Sequence, residues 1–205
     1  MLIEADKVIY KKNTDLGGLK VGNFDFYFDG YKCFVIAKIK IVIDKDVSGI
    51  DESNVSDMLF NALSNYWTES GFFIELKCEK VPKNIPIYIY AQRRVQSYNK
   101  ILHVQNNVWF TGNRPVVIDE INITTDASYY NLQTFAHEFG HVLGLYDEYK
   151  SSNIVEQNMW WKDNRYNYDK SALMNSGHEL RTRYFEHNKK AVKKLYPNCE
   201  LTVKK

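Results

Sequence analysis

Cysteine is scarce in this 205-residue chain, which has only Cys33, Cys78 and Cys199. An odd, widely spaced set with no CxxC pair carries no metal or redox signature and excludes a small disulfide-stapled scaffold, although one pair could bridge in an oxidising compartment. No Pro/Gly/Ser-rich stretch marks a linker, and there is no internal repeat or low-complexity tract, so one domain with a sizeable core is expected. Neither sign of charge dominates, with 27 basic against 25 acidic side chains. The one basic gathering, Lys189, Lys190, Lys193, Lys194, Lys204 and Lys205, reads as the solvated face of a terminal helix and not as a nucleic-acid patch. Long apolar runs are missing too. The most apolar stretch, Phe34 to Ile43, is interrupted by Lys38 and Lys40, so no membrane span is expected. The opening MLIEADKVIYKK lacks the apolar core of a secretory signal. Three localisations stay open: the cytoplasm, export by a signal-independent route, or a leader that precedes this chain.

What is present is a change of period along the chain. Residues 24–44 alternate aromatic and β-branched side chains about Asp29-Gly30, the pattern of a hairpin. Val55, Met58, Leu59, Ala62, Leu63 and Tyr66 then recur at helical spacing, with Ser53 as the expected N-cap and Gly71 as the stop. Four strand-like runs follow, at 72–80, 85–93, 101–110 and 115–124. Helical spacing returns with Leu132, Phe135, Ala136, Phe139 and Leu143, capped by Asp126 or Ser128 and ended by Gly144. A last helix is expected over 182–196, before Pro197.

The second of these helices carries the chemistry. In AHEFGHVLGLYDEY, residues 136–149, His137 and His141 stand four apart and project from one side of a helix. Both rings can face one ion. Glu138, about 100° round the helix from His137, is placed to reach a water beside that ion and act as its base. Two histidines do not complete a catalytic zinc site, which uses three protein ligands and keeps one position open. Gly144 can turn the chain back after His141, and Asp147 then comes within reach as the third ligand. HExxH alone arises in roughly one shuffled chain of this composition per hundred. An ordinary amphipathic helix with two satisfied histidines is therefore the weaker explanation.

HExxHxxGxxD, as His137, Glu138, His141, Gly144 and Asp147, resembles the extended zinc signature of the metzincin metallopeptidases, in the snapalysin-like variant with aspartate in place of the third histidine. A carboxylate among the ligands also suits iron or manganese. The resemblance continues in Ala172-Leu173-Met174-Asn175-Ser176-Gly177, which is similar to the methionine turn that underlies the metal in that family. It implies an α+β fold: a twisted, mixed five-stranded sheet with one antiparallel strand, a backing helix, an active-site helix, and a smaller C-terminal part with the methionine turn and a terminal helix. Residues 1–33 then form an arm or hairpin extension. The catalytic domain spans 34–205, its upper part 34–144 and its lower part 145–205.

The same resemblance implies a zinc-dependent endopeptidase with one catalytic Zn2+, Glu138 as general base and acid, and Gly144 and Met174 in supporting roles. A substrate strand would pair with an antiparallel edge strand, placed at 101–110. Trp160, Trp161, Tyr166 and Tyr168 are candidates for the wall of the substrate pocket, and His178 for an approach to metal or substrate. Glu148 is a candidate to support the ligands from behind. Ser176 stands where some metzincins carry an additional tyrosine ligand, so no such ligand is expected. The implied partner is a polypeptide substrate, with a proteinaceous inhibitor or a single target protein as a further partner, and the chain is expected to act as a monomer. The rival reading is an exported toxin or effector that cleaves one target and depends on binding it. A catalytically silent zinc domain would not need Glu138.

Overall fold

The computed structural model describes residues 25–43, 45, 47–78, 83–92, 100–105, 120–124, 131–143, 145, 148–149 and 166–205. They form an α+β fold in which one mixed sheet of seven strands is covered on one face by helices. The strands are β1 (Asp25–Phe28), β2 (Cys33–Ile43), β3 (Phe73–Lys77), β4 (Lys83–Gln92), β5 (Lys100–Gln105), β6 (Glu120–Thr124) and β7 (Glu200–Lys204). Their order across the sheet is β6-β5-β2-β4-β3-β7. β2 is long enough to carry two partners on one edge: β1 antiparallel against Cys33 to Ile36, then β5 parallel against Ile39 to Ile43. Its other edge pairs with β4 in parallel.

The 24–44 pattern does form a hairpin, with Asp29-Gly30 at its turn. The Asp29 carboxylate accepts from the Tyr31 and Lys32 amides at 2.8 and 2.7 Å, and Gly30 adopts a φ of 95° that a side chain would disfavour. Period-two alternation then sorts the side chains. Val35, Ala37, Ile74, Ile85, Ile87 and Ile89 face the core, while Phe34, Tyr88 and Tyr90 stack on the opposite face. The sheet expected from the sequence is β2 to β6. β1 and β7 extend it, and β7 was not anticipated because ELTVK is short and mostly polar; antiparallel pairing to β3 from Lys77↔Glu200 to Phe73↔Lys204 makes it a strand.

The placing of a substrate strand along 101–110 as an antiparallel edge does not hold. β5 is an interior strand, parallel to both β2 and β6. Two apolar-rich strands with no hairpin turn between them read alike whether they are central or at an edge, and order across a sheet is a tertiary property. Residues 106–110 lie outside the described residues.

Helix α1 (Glu52–Ala62) starts two residues earlier than Ser53 would place it. Asp51 is the cap, in a reciprocal capping box with Asn54. It runs on as a π-helical stretch, Leu63–Thr68, before Gly71 takes a positive φ of 78°. Helix α2 (Leu132–Val142) is capped by Asn131, whose side chain accepts the Thr134 amide at 3.0 Å. The expected caps Asp126 and Ser128 lie outside the described residues. The last helical segment is a 3₁₀ turn, Thr182–Phe185, leading into α3 (Glu186–Leu195).

The core is one cluster. Trp67, fully buried in the π-helical stretch, packs against Phe139, Tyr184 and Phe185, and its indole N–H donates to Ala136 O at 2.9 Å. That bond pins α2 one residue before His137. Cys78 and Cys199 are joined in a disulfide directly beyond the Lys77↔Glu200 pair, locking β7 to β3, while Cys33 is a free, buried thiol. Burial, with the Asp29 charge adding to it, pushes the Cys33 thiol up to about 12. It has neither the exposure nor the thiolate character of a reactive cysteine.

Candidate metal centre

α2 buries Phe135, Ala136, Phe139 and Val142 on one side and turns His137 and Glu138 toward a half-exposed face. One atom each from His137, Glu138 and His141 fall within 4.8 Å of one another. Bonds of about 2.1 Å to a tetrahedral ion would put ligand atoms roughly 3.4 Å apart, a distance small side-chain rotations reach from here. The rings themselves are 5.1 Å apart and nearly perpendicular.

Both imidazoles are oriented from behind. His137 Nδ1 lies 2.8 Å from Leu173 O, and His141 Nδ1 lies 2.8 Å from Leu145 O. A carbonyl can only accept, so each Nδ1 carries a proton, and in the neutral ring the lone pair then sits on Nε2. The Glu138 carboxylate is 3.9 Å from His141 Nε2, beyond hydrogen-bonding distance, so it is not spent on that ring. Two imidazoles with a carboxylate alongside are a donor set of the kind that suits a divalent transition ion.

Met174 lies beneath this face, fully buried. A Cβ on Gly140 would overlap the Met174 sulfur, which explains a glycine in mid-helix between the two histidines. The turn that presents Met174 closes through Asn175 N–H and Gly177 N–H, both donating to Ala172 O, at 2.9 and 3.1 Å. At Gly177 a Cβ would overlap the Ser171 backbone, so this position is closed to any side chain.

The turn is bolted to the segment after α2. Glu148 N–H donates to Met174 O at 2.6 Å, and the Asn175 side chain donates to Glu148 O at 3.0 Å. The buried Glu148 carboxylate accepts two bonds from Arg183, at 2.7 and 2.6 Å, and one from the Tyr184 hydroxyl at 3.0 Å. That hydroxyl in turn accepts Met174 N–H at 3.1 Å. Arg183 also reaches Asp169, which is held by Arg181 at 2.8 Å. Arg181 first, and Arg183 with it, outweigh burial and hold the Asp169 carboxyl well below the usual carboxylate range. Burial opposes the Arg183 charge, but its bonds to Glu148 and Asp169 leave the guanidinium more firmly protonated than usual. Burial and the Glu148 charge push the Tyr184 hydroxyl up.

The structure therefore brings together His137, Glu138, His141 and Met174. Gly144, Asp147, Trp160 and Trp161 lie outside the described residues. Tyr166 packs flat beneath the Arg183 guanidinium, 4.3 Å from it, and Tyr168 is 87% exposed. His178 is exposed and shares a 3.3 Å hydrogen bond with the Tyr66 hydroxyl, outside the His137, Glu138, His141 cluster. Ser176 bonds Lys170 O and the Asn175 side chain at 3.4 Å. Sequence reasoning missed the Leu173 and Leu145 carbonyls, because a backbone oxygen leaves no residue-type signal. It also missed Tyr149, whose ring stacks on His137 at 6.0 Å, and Arg183. The mid-helix glycine at 140 was a usable signal that something packs close there.

Comparison with known protein families, with curated proteins and with solved structures finds no match for this chain.

Proposed function

We propose that this chain is a zinc-dependent endopeptidase of metzincin type, holding its ion through His137, His141 and Asp147. The observation that carries the proposal is that one ligand atom each from His137, Glu138 and His141 lie within 4.8 Å of one another, with both Nδ1 atoms held by backbone carbonyls. The burial of Met174 against Gly140, directly under the histidines, and its tight turn support the family reading. When bound, zinc supplies Lewis-acid activation of water and of the scissile carbonyl.

The protein's own part is proton handling and orientation. Glu138, carboxylate free of the neighbouring ring, takes the proton of the attacking water and returns it to the leaving amine. The Leu173 and Leu145 carbonyls orient the His137 and His141 rings by accepting from Nδ1. The test is metal analysis and cleavage-site profiling of the wild type beside Glu138→Ala. Expected are one divalent ion per chain in both proteins and a loss of cleavage of 10²-fold or more, the order general acid–base catalysis contributes. A wild type without stoichiometric metal, or a variant with undiminished cleavage, would sink the proposal.

A narrower reading shares this chemistry: an exported effector acting on one protein. The Cys78–Cys199 disulfide favours a working place outside a reducing cytosol. Cleavage of casein-like substrates separates the two, since a single-target effector leaves them intact while cutting a partner recovered by pull-down.

A further inference from the structure

We infer that Glu148, through its ion pair with Arg183, is a positioning residue for both imidazoles of the metal centre. The inference rests on the proposed metal site. Neither Glu148 nor Arg183 belongs to the converging cluster; they act on the two carbonyls behind it.

His141 is held by Leu145 O and His137 by Leu173 O, so the aim of the two Nε2 atoms depends on how these oxygens stand relative to each other. They belong to segments 28 residues apart in the chain. Among the described residues, Glu148 makes the direct ties between them. Its amide donates to Met174 O, the peptide after Leu173, and its own carbonyl accepts from the Asn175 side chain. Its carboxylate receives Tyr184, whose oxygen receives Met174 N–H. Both peptide faces of Met174 are therefore fixed through Glu148.

Arg183 supplies what those ties need. A buried carboxylate is costly without hydrogen-bond partners, and a guanidinium fork meeting both its oxygens, at 2.7 and 2.6 Å, fixes its direction. Asp169 accepts a second bond from the same Nη2 nitrogen, at 2.8 Å. The chain of contacts runs Arg183, Glu148, Met174 peptide, Leu173 carbonyl, His137; on the other branch Leu145, three residues before Glu148, holds His141 through its carbonyl.

The experiment measures zinc affinity by competition with a chromophoric chelator, and the visible spectrum of the cobalt-substituted protein, on full-length chains shown to be folded without metal. Glu148→Gln keeps the shape and removes the charge. Expected is a 10- to 100-fold loss of zinc affinity, the range for partners that orient ligands, with an altered cobalt spectrum. Arg183→Lys, which retains one charged donor, should recover part of that loss. Arg181→Gln breaks the same ion network farther out and should leave affinity within about threefold. If Glu148→Gln does not fold, the pair Glu148→Met with Arg183→Met removes both charges together and carries the same expectation.

A wild type that binds no zinc refutes the proposed function itself. A wild type that binds zinc, beside folded Glu148 or Arg183 variants of unchanged affinity and spectrum, overturns this inference alone. An equal loss in Arg181→Gln also overturns it, because loosening of the network would then account for the effect.

Discussion

His137 and His141 each give up one ring nitrogen to a backbone carbonyl, and this costs the site nothing while removing the ambiguity of the tautomer. The residue that makes such closeness possible is Gly140. Glycine costs a helix interior about 1 kcal/mol relative to alanine, yet here alanine would run into the Met174 sulfur. Because the obstacle is the far end of a flexible side chain, Gly140→Ala should destabilise by roughly 1–3 kcal/mol without abolishing folding. Met174→Ala opens the space, so the double variant should be more stable than the sum of the two single costs by about 1–3 kcal/mol. Denaturant melts of the four proteins measure this coupling, and strict additivity would mean that the contact does not govern the site. Gly177 differs, since its obstacle is backbone and no second substitution would relieve it.

At the level of elements, the C-terminal strand carries the clearest consequence. β7 covers the outer edge of β3 with a five-residue ladder, and the disulfide closes that ladder one pair farther on, across 121 residues of chain. A cross-link over so long a loop restricts the unfolded chain strongly, so Cys199→Ser should cost about 2–5 kcal/mol. Thiol titration gives an independent check. The native protein should show no reactive thiol, one after unfolding, and three after unfolding with reductant.

Much at this scale was legible in the sequence. The hairpin about Asp29-Gly30, α1, the cores of four strands and α2 follow from period and turn chemistry, because those signals are local. The caps were misplaced by one turn or less where Asp51 competed with Ser53, both being good cap residues. β7, the interior place of β5 and the joining of Cys78 to Cys199 were not legible, because each depends on a partner far away in the chain. The candidate site divides the same way: His137, Glu138 and His141 announce themselves by spacing, whereas the clamp of Glu148 and Arg183 spans 35 residues with nothing periodic between.

For the molecule as a whole, acid should loosen the fold in two stages. Burial, helped by the Lys190 charge, lowers the pKa of His187 from 6.5 to about 4. The unfolded chain therefore binds the proton first, and stability is present above about pH 6.5 and lost as pH falls toward 4. A shift of that size corresponds to roughly 3 kcal/mol. Asp169 follows at lower pH, since its depressed carboxyl contributes stability above its ordinary value and loses it only on further acidification. Urea melts from about pH 2 to 7 should show both slopes, and His187→Leu should flatten the first while leaving the second.

The buried thioether of Met174 makes oxidation a gauge of how often the turn opens. Oxidation to the sulfoxide adds a polar oxygen where the sulfur already lies against the α2 backbone at Gly140 and is fully buried. Peroxide can reach it only while the turn is lifted off the helix, and the oxidised turn cannot settle back. Under dilute peroxide, which reacts slowly beside reclosing, the rate at which this methionine gains sixteen mass units would thus measure the fraction of time that the turn stands open.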